Sequence, residues 1–372
     1  QGWDLWTDLR KEGVEPEIPV ALPHLFKKNG YKTVCIGKIS HEPGGVMDEQ
    51  QKIHQIPFSW DTCFTAVGKW KTPWRAFFAY ANGDAHNTAM RIGVDTPRLP
   101  YESVDVEDEG YPDGLNAIEA IKQLKIMKKE KKPFFLAVGF YKPHLPFNAP
   151  KKYWDMYDPE EIPLSENPEI PENAPLYSMN SMYELRHYDG FNHIGHPTSS
   201  YRMSEDTIRK LRHGYYASVS YVDSLLGDLI AHLKKLGIYD NTIIILWGDH
   251  GWKLGDHNSW GKMTNYNIDL KVPMIIRVPN QENRGAQTFE LTELIDMFPS
   301  LCELAGIEVP DYMQGTSFVP LMKDPDRPWK KAAFSQFHRR PKVSADGKRY
   351  MGYSINTKDY HYIEWYRWDA ET

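Results

Sequence analysis

Long hydrophobic runs are missing from this 372-residue sequence. The most apolar stretch, Thr242-Ile243-Ile244-Ile245-Leu246-Trp247, is far shorter than the roughly 20 residues needed to cross a bilayer, so no membrane partner is expected. Charge of one sign is missing too. The 44 basic and 50 acidic residues are interspersed and leave a net charge of -6, which gives no electrostatic footprint for nucleic acid or an anionic membrane surface. Cysteine is scarce. Cys35, Cys63 and Cys302 are far apart with no Cys-x-x-Cys pair, which argues against both a disulfide framework and a zinc site. No Asn-x-Ser/Thr sequon occurs despite abundant Asn, and this favours a bacterial protein over a glycosylated eukaryotic secretory one. The chain opens Gln1-Gly2-Trp3 without Met or an apolar leader, so the native N-terminus is not expected to be present and a signal peptide stays open. There is no internal repeat and no low-complexity tract.

What is present is an ordinary globular composition, 41% apolar and 25% charged, enough for one large core plus a smaller appended unit. Ala117, Ile118, Ile121, Leu124 and Met127 have helical spacing, and Phe134 to Phe140 follows as a continuous apolar strand. A second helix is expected over Ile208–Leu236 with Gly237 as its cap, then a strand over Thr242–Trp247. Val272–Val278 reads as a further strand, and Thr292–Ala305 as a helix ended by Gly306. Helices alternating with fully apolar strands predict an α/β fold, a doubly wound and mostly parallel sheet sandwiched by helices. Asn148–Tyr201, rich in Pro, Asn, Tyr and Glu, reads as a long surface excursion. Beyond about Pro320, Tyr350–Asn356 and Tyr360–Trp368 suggest an antiparallel hairpin in a small C-terminal subdomain.

The strongest site signal is Gly248-Asp249-His250-Gly251-Trp252, directly after an apolar strand. Ligands collect at the carboxyl ends of strands in α/β sheets, and flanking glycines let a carboxylate and an imidazole project there. A metal would sit at such a turn, although Asp249 as a turn cap and His250 as a packed ring fit the pentapeptide equally well. Three weaker clusters join it: Gly37-Lys38-Ile39-Ser40-His41, Lys142-Pro143-His144, and Gly261-Lys262. Each alone reads as solvation or packing. Together they describe a convergent cationic pocket for a tetrahedral oxyanion.

These motifs, with Asn29-Gly30-Tyr31-Lys32-Thr33, Phe134 through Phe147, Ala217-Ser218-Val219-Ser220-Tyr221-Val222-Asp223 and Met351-Gly352-Tyr353-Ser354-Ile355, resemble the sulfatase family of the alkaline-phosphatase-like superfamily, and within it the iduronate-2-sulfatase branch. The resemblance runs over nearly the whole chain. It implies a sulfuric ester hydrolase acting on a sulfated, uronic-acid-type saccharide, with one Ca2+ site to which Asp249 and His250 contribute. It places Lys38, His41, His144 and Lys262 around the sulfate, His144 as general acid to the leaving alcohol, and Trp252 and Lys142 against the sugar. A divalent cation and ammonium groups suit the charge that builds on the leaving oxygen. Calcium prefers oxygen ligands, so His250 stands where other sulfatases hold an amide or carboxylate. Lys38 and His41 are three apart where many relatives have Lys-x-His.

The family's nucleophile is a formylglycine made inside a Cys/Ser-x-Pro-x-Arg signature, accompanied by an Asp-Asp pair. Neither occurs here, since Cys35 is followed by Ile36-Gly37, Cys63 by Phe64-Thr65 and Cys302 by Glu303-Leu304. The expectation is therefore a chain missing an N-terminal segment. Residues 1–319 would form a core lacking its first strand and nucleophile loop, residues 320–372 would form a partial C-terminal subdomain, and the missing segment would be the partner that completes the enzyme. A periplasmic or secreted bacterial location is expected ahead of a lysosomal one. The competing readings are a phosphomonoester or phosphonate hydrolase of the same superfamily and a non-catalytic saccharide-binding relative.

Overall fold

The computed structural model describes residues 8–19, 21–48, 53–86, 98–197, 200–340 and 346–368. They fall into two compact units. The first comprises residues 1–163, 187–190 and 209–239, and the second residues 164–186, 191–208 and 240–372. The boundary expected at residue 319 lies inside the second unit, at the start of the short helix Val319–Lys323.

In the first unit, helix α1 (Leu22–Lys28) leads into strand β1 (Lys32–Gly37), which is followed by β2 (Thr62–Phe64) and the short helix α2 (Pro73–Phe77). Strand β3 (Tyr101–Val104), helix α3 (Pro112–Glu130) and strands β4 (Phe134–Gly139) and β5 (Phe147–Pro150) come next. The strands form two parallel assemblies, β2-β1-β4 and β3-β5. The central β1 is sealed, with Thr33, Val34, Cys35 and Ile36 fully buried, as a strand flanked on both sides and covered by helices must be. Helix α3 begins with Pro112, whose fixed φ suits the first helical position, and ends with Lys128 and Lys129, whose charges complement the carboxyl-end dipole. Its buried stripe is Ala117, Ala120, Leu124 and Met127, while Ile118 lies 53% exposed. The apolar spacing located the helix and three residues of its buried face, Ala117, Leu124 and Met127, while packing turned Ile118 outward.

Helix α4 (Glu205–Lys235) buries Leu211, Gly214, Ala217, Tyr221, Leu225, Leu229 and Leu233 at intervals of three and four residues. Tyr221 helps fix the first unit: its hydroxyl accepts from the Gly114 amide at 2.7 Å and donates to the Asp108 carbonyl at 2.7 Å.

In the second unit, β6 (Ile244–Trp247) and β7 (Met274–Arg277) pair antiparallel. The sequence suggested parallel strands here, but residues 248–273 contain only the short helical turns Asp256–Asn258 and Asn267–Leu270, not the long crossover helix that usually links parallel neighbours. Helix α5 (Met297–Ala305) ends at Gly306, which adopts a left-handed φ of 67°. The C-terminal hairpin exists, β9 (Tyr350–Asn356) with β10 (His361–Arg367), and gains a third strand, β8 (Ala333–Arg339), on its other side. Arg339 anchors this sheet: buried, it donates to the Tyr177 carbonyl at 3.0 Å and the Met263 carbonyl at 2.9 Å.

The segment read as a surface excursion is irregular but not superficial. Apart from residues 198–199, which lie outside the described residues, it buries Tyr153, Trp154, Ile162, Met179, Met182, Leu185, Tyr188, Phe191 and Ile194. Conversely, β4 is half-buried throughout, and Leu246 and Trp247 of β6 are exposed, although both strands read as fully apolar. Among the described residues no helix is long and apolar enough to cross a membrane.

Candidate active site

The expected site residues form two clusters, one in each unit. The first gathers at the carboxyl ends of β1 and β4. Gly37 ends β1 with φ +68°, and a Cβ there would stand 2.1 Å from the Gly139 carbonyl oxygen. Only glycine permits that approach, and it lets the Lys38 amide donate to the same carbonyl at 2.8 Å. The two loops that follow, one carrying Lys38 and His41 and the other Lys142 and His144, are thereby tied at their roots.

Helix α2, to which the sequence reading assigned nothing, supplies an aromatic platform beneath them. The Lys38 Nζ lies 5.7 Å from the centre of the Phe77 ring, and the His144 ring is 4.7 Å from the same ring. His41 meets Trp74 edge-on at 5.7 Å, and Trp74 meets Phe77 at 5.8 Å. The signal was available as Thr72-Pro73-Trp74, a side-chain cap and helix-starting Pro before a run of aromatics. His144 Nδ1 lies 2.8 Å from the Leu145 carbonyl. A carbonyl only accepts, so Nδ1 carries a proton and any second proton sits on Nε2.

Lys142 is placed differently from a sugar-contacting residue. It is buried, and its Nζ donates to the Pro146 carbonyl at 2.5 Å and the His144 carbonyl at 3.3 Å. Its ammonium holds the His144 loop from beneath. Burial pulls its pKa down to about 8, with partial compensation from the charges of Asp113 and Glu102. Asp113, in the first turn of α3, accepts from the Tyr141 and Lys142 amides at 2.8 and 2.9 Å. Burial nevertheless pushes its carboxyl up to about 6, outweighing those hydrogen bonds. The Lys142–Pro143 and Leu145–Pro146 peptide bonds are cis.

The second cluster follows β6. Gly251 is required because a Cβ would fall 1.9 Å from the Ile268 carbonyl oxygen, and its amide donates to the Asp269 carbonyl at 2.8 Å. Asp249 projects outward with its side chain 75% exposed, and His250 Nε2 lies 3.6 Å from its carboxylate. His250 Nδ1 is 2.9 Å from the Gly251 carbonyl and so is protonated. Burial, then the nearby Lys262 charge, lower the His250 pKa, which favours the neutral imidazole that metal ligation needs. Lys262 Nζ stands 4.6 Å over the buried Trp252 ring and 3.1 Å from Glu184. Glu184, from the helical turn Tyr183–Arg186, was not foreseen because nothing local in that Pro- and Asn-rich stretch marks it.

Beneath this cluster Lys253 is fully buried and donates to Asp269 at 2.5 Å and Thr264 at 2.7 Å. Paired in this way it is structural.

Among the described residues no group of three or more His, Cys, Asp or Glu side chains is arranged to hold a metal. Asp249 and His250 offer one carboxylate and one imidazole, whereas calcium takes about six to eight oxygen ligands. These two residues do not make a calcium site by themselves.

The sequence profile of the sulfatase family matches residues 7–307, and that of the N-sulphoglucosamine sulphohydrolase C-terminal region matches residues 255–371. The chain belongs to the sulfatase family. It is 30% identical to the iduronate 2-sulfatases of Mus musculus and Homo sapiens, over 94% and 92% of this chain and 70% of each relative. A sulfatase of Formosa agariphila is 27% identical over 92% of this chain and 63% of its own length. Among solved structures, a protein in complex with its substrate D-glucosamine-2-N,6-O-disulfate superposes with a TM-score of 0.66 at 20% identity, covering 94% of this sulfatase and 75% of that chain. The phosphonate monoester hydrolase of Agrobacterium radiobacter superposes at 0.65 with 21% identity, covering 93% and 73%. Both likenesses establish the alkaline-phosphatase fold.

Proposed function

We propose that this sulfatase removes sulfate from a sulfated, uronic-acid-containing saccharide, with Lys38 binding the sulfate and His144 protonating the leaving sugar oxygen. The observation that carries the reading is that Lys38 and His144, more than a hundred residues apart in sequence, meet on the one Phe77 ring. An ammonium fixed there balances charge on the sulfate oxygens, and an imidazolium delivers its Nε2 proton as the S–O bond breaks. His41 adds a second donor at the Trp74 edge. Lys142 and Asp113 are positioning residues for the loop that presents His144. Lys262, held by Glu184 over Trp252, has the charge to bind a sulfate oxygen or a uronate carboxylate.

Asp249 and His250 would be two of the ligands of a calcium ion, which would supply positive charge beside the sulfate. In this reading a formylglycine would supply the nucleophile toward sulfur, and the Cys/Ser-x-Pro-x-Arg signature in which it forms is not among these 372 residues. The glycan-active relatives favour a periplasmic or secreted bacterial setting: one is an ulvan-active sulfatase of Formosa agariphila, 26% identical over 70% of this chain and 47% of its own length.

The test is leaving-group dependence in protein that contains the nucleophile. His144→Ala should slow a sulfated sugar by about 100-fold or more and an activated aryl sulfate far less, since a basic alkoxide needs the proton most. Equal losses on both substrates would remove the acid role. Faster turnover of a phosphonate monoester than of either sulfate ester would overturn the substrate class.

A further inference from the structure

Cys35 and Cys63 take no part in the chemistry proposed above, yet they are register partners on the neighbouring parallel strands β1 and β2. Facing residues on such strands project to the same side with backbones about 4.8 Å apart, inside the Cα separation of about 4.4–6.8 Å that a disulfide spans. Both sulfurs converge on the backbone at Gly45: a Cβ there would lie 3.4 Å from the Cys35 Sγ and 3.6 Å from the Cys63 Sγ. His54, on the short strand Ile53–His54, stands near Cys63. Neither cysteine is in a disulfide.

The two thiols are unequal in the way an oxidisable pair requires. The neighbouring Cys35, then His54 and the Lys27 charge, bring the Cys63 thiol below its ordinary value against the effect of burial. Cys35 is fully enclosed, and its neighbour Cys63 and then burial hold its pKa well above the usual range. One partner is thus a half-buried cysteine on an edge strand, its thiolate form favoured, and the other a sealed thiol beside it. Cys302 provides the internal contrast, since burial pushes its thiol up to about 11.

We propose that Cys63 and Cys35 form a modification site at which a hydroperoxide reversibly closes a disulfide between β1 and β2. The Cys63 thiolate attacks one peroxide oxygen, the O–O bond breaks, and the other oxygen leaves as water or an alcohol after taking a proton. Sulfur is oxidised to the sulfenic acid. Cys35 then attacks that sulfur, the S–S bond forms, the S–O bond breaks, and the hydroxyl leaves as water with the Cys35 proton. One hydroperoxide is reduced for two thiols oxidised, and an external dithiol reverses the exchange. The proposal is independent of the substrate reading, because it requires only these two strands and His54.

The experiment treats the folded chain with hydrogen peroxide at an equimolar ratio, alkylates the remaining thiols, and maps the digest by mass spectrometry. The expected result is a loss of two hydrogens, one cross-linked peptide pair containing Cys35 and Cys63, and recovery of both alkylatable thiols on addition of dithiothreitol. Cys302 should remain alkylatable after unfolding. In Cys35→Ser the sulfenic acid should persist at Cys63 and be captured by dimedone. The proposal is overturned by sulfinic acid at Cys63 with Cys35 still alkylatable, by oxidation of Cys302 as fast as Cys63, or by no reaction at either strand cysteine. The wild-type map decides the question even if the serine variant does not fold.

Discussion

Asp113 offers the most direct test of whether burial governs the loop that carries His144. Its carboxyl is 1% exposed and is pushed from 3.8 up to about 6 by desolvation, even though it accepts two backbone hydrogen bonds and faces Lys142. A raised carboxyl pKa means that the folded state holds the proton more tightly than the unfolded chain. The stability associated with that proton is complete below about pH 3.8 and is lost as pH rises through about 6. Two units at about 1.4 kcal/mol each make the effect about 3 kcal/mol. Lys142, with a pKa near 8, stays charged across this window and does not contribute. Asp113→Asn cannot ionise, and its amide nitrogen would oppose one of the two backbone N–H groups, a pH-independent cost of about 1–3 kcal/mol. Urea unfolding of both proteins between pH 4 and 7 gives a difference in which all other titrating groups cancel. The wild type should lose about 2–3 kcal/mol relative to the variant as pH rises through that window. Parallel curves, or a wild type that gains stability instead, would show that the amides and Lys142 hold the carboxyl below its usual range and that burial does not dominate.

Gly37→Ala should cost at least about 2 kcal/mol in a urea titration, because it combines a left-handed φ with a carbonyl clash; a neutral substitution would contradict the close approach of β1 to β4. Arg339→Met should lower stability by about 2–4 kcal/mol by leaving the Tyr177 and Met263 carbonyls without their buried donor, and a change below about 0.5 kcal/mol would remove it as the anchor of the C-terminal sheet. His86 is buried with neither ring nitrogen hydrogen-bonded among the described residues, and burial, helped by the charge of His187, lowers its pKa to about 4. Stability tied to its neutral form is complete above the ordinary 6.5 and lost as pH falls through about 4, so a histidine NMR titration that finds it charged at pH 5.5 would refute the burial. Glu184→Gln should release Lys262 from that carboxylate and strengthen inhibition of sulfatase activity by inorganic sulfate; unchanged inhibition would separate Lys262 from anion binding.

The sequence by itself determined the local structure and the residue types of the site. Period and punctuation were enough for α3, β4, α4, α5 and the C-terminal hairpin, because apolar spacing and the glycines Gly237 and Gly306 act over a few residues. Long motifs such as Phe134 to Phe147 were enough for the family. Tertiary structure alone decided the rest. The antiparallel pairing of β6 with β7 depends on a connection too short in helix to cross over, which neither strand records. Lys142 looked like a ligand-contacting cation, but only the folded loop shows its ammonium turned onto the His144 and Pro146 carbonyls. Trp74, Phe77 and Glu184 joined the candidate site because they are close in space to residues remote in the chain, and side-chain chemistry at a single position carries no information about such neighbours. Cys35 and Cys63 read as isolated cysteines until strand register placed them opposite each other, since pairing between strands is fixed by the sheet and not by either segment.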